Sequence, residues 1–134
     1  MSDLAEAFAS AAEGLVGSPF RLHGQCPSTG VDCVGLVILS LRSAGREVTS
    51  VPAYRLRNSD YGFVEQLAKR NGFAEAVGPV GRGDLLMVEA GPAQRHLLVA
   101  QSHTEFIHAH AGLRRVVRLR GELPWPLFRH WRLQ

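Results

Sequence analysis

At Gly78-Pro79 the hydrophobic pattern of this chain changes period. Before that point apolar residues recur at helical spacing; after it they alternate. Leu4, Phe8, Ala11, Ala12 and Leu15 predict a helix over residues 4–16, with Ser2 or Asp3 as N-cap and Gly17-Ser18-Pro19 as its stop. Val34, Leu36, Val37, Ile38 and Leu41 predict a buried helix, capped by Asp32 and ended by Gly45 as the C′ residue. Phe63, Val64 and Leu67 predict a short amphipathic helix, with Asp60 as cap and Asn71-Gly72 as stop. Residues 20–31, rich in Gly, Pro, Ser and Thr, and residues 46–59, with Pro52 and Tyr54, read as irregular. Beyond the switch, residues 84–89, 96–102, 105–110, 114–120 and 127–133 read as strands joined by short connections. Helices first and strands second predict an α+β fold. Its sheet is an antiparallel meander of about five strands, packed on the helix that begins at Cys33.

The chain has 134 residues, 46% of them apolar, which predicts one domain over 1–134 with a real core. No apolar run approaches the ~20 residues of a membrane span. Residues 1–17 carry Asp3, Glu6 and Glu13 but no Lys or Arg. A secretory signal starts basic, so synthesis in the cytoplasm without such a signal is expected. Two cysteines cannot build a dense disulfide framework. The formal charge is +3; of the 15 basic residues only Lys69 is lysine, and six arginines fall between Arg114 and Arg132. Arginine forks suit carboxylates and phosphates. The excess charge is small beside that of nucleic-acid binders, so the plainer reading is a solvated strand face and no nucleic-acid partner.

Cys33 stands at the mouth of its predicted helix rather than inside the apolar run. A thiol in a first helical turn feels unpaired N–H groups and the positive end of the helix dipole. Both favour thiolate, the nucleophilic form, so a lowered pKa is expected at Cys33 and not at Cys26, which sits in a Pro/Ser loop. A nucleophilic cysteine also needs a base close in space. His96 opens one strand, and His108 lies twelve residues on in the next. A hairpin brings both over the helix mouth, His96 to pair with Cys33 and His108 to orient His96 through its second ring nitrogen. His103 falls in the polar turn. His110 shares a face with His108, and the register of a tight hairpin leaves open which of the two meets His96. The structural alternatives are a core cysteine and surface histidines. A zinc site from Cys26, Cys33 and two histidines is disfavoured, because C-x6-C lacks the spacing of a zinc knuckle. A Cys26–Cys33 bridge across six residues is a further option.

The blocks "GSPFRLHG", "GVDCVGLV", "GRGDLLMV" and "RHLLVAQSHTEFIHAH" closely resemble the NlpC-type cell-wall cysteine peptidases. The resemblance covers roughly residues 4–112 and implies a compact papain-like fold. It implies Cys33 as nucleophile, His96 as base and His108 as third catalytic residue, since the family's "I/V-H-A" aligns with Ile107-His108-Ala109. It implies hydrolysis of the D-glutamyl–diamino acid bond of peptidoglycan stem peptides, without a metal or other cofactor. Phe20, Asp32 and Arg95 are candidate substrate contacts. Phe20 stands where the family has a tyrosine, in "Y-R-x-G-G", with His23 nearby as a substitute polar group; Val34 replaces the common serine after the cysteine. Asp84 reads as a structural turn. The short form with "DCVGLV" and an Arg-rich end is most similar to the phage-tail and gene-transfer-agent branch. That implies action at the cell wall, as a virion or particle component among tail proteins. Two other functions fit the same residues: a related thiol amidase or acyltransferase, and a non-catalytic tail-assembly protein that kept the fold.

Overall fold

The structure, a computed structural model, describes residues 2–48, 62–92 and 94–134. Most of the irregular stretch, with Pro52 and Tyr54, and the expected cap Asp60 lie outside the described residues. Helix α1 spans Asp3–Gly14, and its N-cap Ser2 accepts from the Ala5 N–H. A two-stranded hairpin of β1 (Gln25–Cys26) and β2 (Gly30–Val31) follows. Then come α2 (Cys33–Ser43), α3 (Gly62–Arg70) and β3 (Phe73–Glu75). Strands β4 (Leu85–Gly91), β5 (Gln94–Ser102), β6 (Glu105–His110), β7 (Arg115–Arg120) and β8 (Leu127–Leu133) complete the order. No described helix is long and apolar enough to cross a membrane.

Both ends of α2 are set by local chemistry. Asp32 is its N-cap. At the far end Gly45 has φ +94°, the Arg46 N–H reaches the Leu41 carbonyl and the Gly45 N–H reaches that of Arg42. That is a Schellman motif, and the left-handed C′ position is why glycine stands there. The helix is buried almost all round because it lies between α1 and the sheet. Leu36, Ile38 and Leu41 join Phe8, Leu85, Met87, Leu97, Val99 and Ile107 in the main core. Each such side chain contributes about 1.5–3 kcal/mol by leaving water.

The α+β class is as expected, but the sheet departs from a simple meander. Six strands lie in the order β3-β8-β4-β5-β6-β7, all pairs antiparallel. Strands β4 to β7 do form a meander. The last strand then returns and inserts between β3 and β4. From β7 to β8 the chain crosses four strand spacings, roughly 19 Å, which the residues 121–126 can span when extended. The crossing covers the second face of the sheet. There Leu86, Val88, Leu98, Ala100 and Phe106 form a smaller core, closed by Val80, Leu119, Leu123 and Trp125.

Candidate active site

Asp32 fixes where α2 begins. Its carboxylate is fully buried; Oδ1 accepts from the Gly35 N–H at 2.7 Å and Oδ2 from the His23 N–H at 2.8 Å. The loop before the helix thereby folds over its first turn. The approach is so close that a Cβ on Gly35 would overlap the Gly24 carbonyl oxygen. His23 holds a left-handed conformation at φ +62° and is exposed.

Cys33 opens α2 and is 2% exposed. The expected fall in its pKa is not found. Burial, helped by the negative charge of Asp32, pushes the thiol up to about 12. The N–H groups of Leu97, Val34 and Cys33 pull the other way. The helix-terminus effect is therefore present and outweighed. One of these three, Leu97, is the residue after His96.

Cys26 reverses its expected character. It is exposed at the tip of the β1–β2 hairpin, and its sulfur lies 3.3 Å from Ser28 Oγ. Bonds from the Ser28 and Thr29 side chains, then from their main-chain groups, lower its pKa to about 6. Both cysteines are free thiols.

His96 Nε2 and His108 Nδ1 are 2.8 Å apart. The contact is diagonal. Val99 pairs with Ile107 and Ala100 with Phe106, a register that carried onward would set His96 opposite His110. The paired residues stop at Val99–Ile107, so β5 and β6 part before reaching the histidines. Leu97, next to His96 on β5, supplies one of the main-chain groups that act on the Cys33 sulfur. Leu97 and Val99 face the helices, whereas Leu98, Ala100 and Phe106 face the second core. By alternation His96 and His108 belong to that second side. Where the strands part, the group acting on the Cys33 sulfur, Leu97, and the histidine bonded to His108, His96, are consecutive residues of β5.

His110 is committed elsewhere: its Nδ1 accepts from the Leu113 N–H at 3.0 Å, with its ring 5.5 Å from that of His108. His103 is exposed in the β5–β6 turn. Burial, then the nearby charges of His108 and His110, lowers His96 to about 3. Burial, then His110, lowers His108 to about 4. The pair rests neutral beside a neutral thiol.

Phe20 is half-buried, bridged to Val31 and packed against the main core. Arg95 lies with its guanidinium 3.5 Å over the Phe128 ring and pairs with Glu89 at 3.1 Å. Asp84 is a buried hub that accepts from the Gly81 N–H, His130 Nε2 and the Arg132 guanidinium. Burial raises its pKa, but Arg132, Gly81 and His130 together hold it below the usual carboxylate range. Trp125 is the residue that sequence reasoning missed: its ring lies 6.1 Å from His96 and 5.8 Å from His108. The signal was the "PWP" in a connection between strands, an aromatic held between two prolines of fixed φ.

The sequence profile of the NlpC/P60 family matches residues 17–125. No curated protein matches the chain. Among solved structures, NlpC2 from Trichomonas vaginalis is similar with a TM-score of 0.69 at 17% identity, over 97% of this chain and 46% of that one. This chain therefore spans less than half of that protein's length. The NlpC/P60 domain of the peptidoglycan hydrolase SagA is similar with a TM-score of 0.60 at 23% identity, over 87% and 88% of the two chains. The P60 domain of an antigen from M. avium subspecies paratuberculosis gives 0.59 at 16% identity, over 97% and 93%. These likenesses show the fold.

Proposed function

The chain belongs to the NlpC/P60 family, generally cysteine hydrolases of the cell wall, and we propose that it hydrolyses an amide bond of peptidoglycan stem peptides. Cys33 is the nucleophile, His96 the general base and His108 the residue that orients His96. The observation that carries this reading is the 2.8 Å His96 Nε2–His108 Nδ1 hydrogen bond, beside the residue whose N–H meets the Cys33 sulfur.

The tautomers follow from that bond. When His96 donates from Nε2 to His108 Nδ1, its own Nδ1 keeps a lone pair and can act as a base; His108 carries its proton on Nε2. Because thiol and imidazole both rest neutral, the thiolate is made during attack rather than before it. The Sγ proton passes to His96 Nδ1 as the C–S bond forms. The Cys33 N–H, in the first turn of α2 and without a helical partner, turns from the sulfur to the oxyanion as the C–S bond forms. His96 then protonates the leaving amine as the C–N bond breaks. Water attacks the thioester, giving its proton to His96. The acid leaves, and His96 returns the proton to sulfur.

The D-glutamyl–diamino acid bond is the substrate bond the sequence resemblance favours. A place on a phage tail or gene-transfer particle rests on that resemblance as well. Mass spectrometry of sacculi digested with the protein and with Cys33→Ala tests the reading. New amine and carboxyl ends at one stem-peptide bond, lost in Cys33→Ala, support it. Release of the sugar-linked amide instead would mark an amidase. A second reading, a non-catalytic assembly protein, is favoured by the burial and neutrality of the Cys33 thiol; intact sacculi after digestion would select it.

A further inference from the structure

A single hydrogen bond is the only polar restraint described between the two imidazoles, and χ2 is a broad and roughly two-fold torsion. Half a turn of His96 puts Cδ2 where Nδ1 was and Cε1 where Nε2 was, removing the base and breaking the bond to His108. Something must therefore hold the planes. His96 and His108 stand edge to face, 5.0 Å between centroids at 84°. The Trp125 indole meets both of them edge to face, at 77° to His96 and 76° to His108. Each of the three rings thus stands nearly perpendicular to the other two.

The indole is itself well anchored. It packs against the smaller core on the second face of the sheet. Its segment is fixed at both ends, since the Gly121 N–H donates to the Thr104 carbonyl at 2.8 Å and the Glu89 N–H to that of Pro126 at 3.0 Å. Pro124 and Pro126 restrict the backbone on either side. The return of β8 across the second face thus lays an aromatic wall on the histidines.

We propose that Trp125 is the positioning residue of the imidazole pair, blocking rotation of both rings and so preserving the His96–His108 hydrogen bond that fixes the tautomer acyl transfer requires. The inference rests on the reading of Cys33 and His96 as reacting groups. The test compares Trp125→Phe, Trp125→Leu and Trp125→Ala in the full chain. Nitrogen-15 NMR of the imidazoles should show a single Nε2–H tautomer for His96 in the wild type and Trp125→Phe, and averaged tautomers in Trp125→Leu and Trp125→Ala. On muropeptides, Trp125→Leu should lose about tenfold or more in kcat with KM within about twofold, while Trp125→Phe stays within about threefold of wild type. Leucine preserves apolar burial, so it keeps the test valid if the alanine variant does not fold. A single tautomer in Trp125→Leu, a loss carried by KM, or equal losses in the Phe and Leu variants would overturn the proposal. The NMR result needs no turnover. A protein inactive on muropeptides would therefore defeat the proposed function while the tautomers still decide the role of Trp125.

Discussion

Substituting Cys26 by serine should abolish the fast reaction of this protein with a disulfide reagent, although Cys33 is the proposed nucleophile. The two thiols have pKa values of about 6 and about 12. At neutral pH about nine-tenths of Cys26 is thiolate, against about one part in 10⁵ of Cys33. Intrinsic nucleophilicity partly offsets this. With a Brønsted slope of about 0.4–0.5, the more basic Cys33 thiolate attacks roughly 250–1,000 times faster. The net advantage of Cys26 is then roughly 100–400-fold, before the burial of Cys33 slows it further. The assay is chromophore release from dithiobisnitrobenzoate under pseudo-first-order conditions, with peptide mapping of each phase. The expected result is a fast phase of one thiol mapped to Cys26, absent in Cys26→Ser, and a slow phase mapped to Cys33. Cys33 reacting first, or rates within about tenfold of each other, would refute the argument that burial and Asp32 outweigh the helix terminus.

Three further outcomes follow from the site. His108→Asn and His108→Gln should keep part of the activity, because the ring N–H of His96 needs only an acceptor, whereas His108→Ala should lose much more; His110→Ala should cost less than about tenfold in kcat/KM. A larger loss at His110 would overturn the diagonal pairing. Both His96 and His108 have folded pKa values far below the usual 6.5. The unfolded chain therefore binds protons in a window where the native chain does not. Their contribution to stability is complete above about pH 6.5 and is lost as pH falls toward 4 and then 3. Tm should drop across that window, with a shallower slope in His108→Asn; equal slopes would contradict the neutral pair. Gly35→Ala should destabilise by about 1–3 kcal/mol or more in denaturant melts, since its Cβ meets the Gly24 carbonyl rather than a movable side chain. Wild-type stability there would show that the loop does not sit on the first turn of α2.

What could be read from the sequence was what short-range chemistry decides. Asp32 and Gly45 bracket α2 because caps act within one turn. Strands β4 to β8 each run six residues or more, long enough to show as an apolar run in β4 and β5 or as mixed apolar and polar positions in the others. Strand β3 has three residues with only Phe73 buried, and β1 and β2 have two each, too short to show a period. The return of β8 is a long-range choice that no local pattern encodes, and Trp125 reaches the histidines only because of it. The Cys33 thiol was misjudged for the same reason. Its helix position is local, but the burial that raises its pKa comes from α1, the sheet and the preceding loop. The hairpin register left His108 and His110 equivalent; the parting of β5 and β6 beyond Val99–Ile107 brings His108 to His96.

In the proposed reaction the sulfur of Cys33 takes the acyl group of the stem peptide. Rapid-quench intact-protein mass spectrometry with a purified muropeptide would catch that thioester. The expected result is a transient mass increase equal to the acyl fragment, mapped to the peptide that carries Cys33 and absent in Cys33→Ala. Muropeptide cleavage that persists in Cys33→Ala, or an adduct mapped to Cys26, would contradict it.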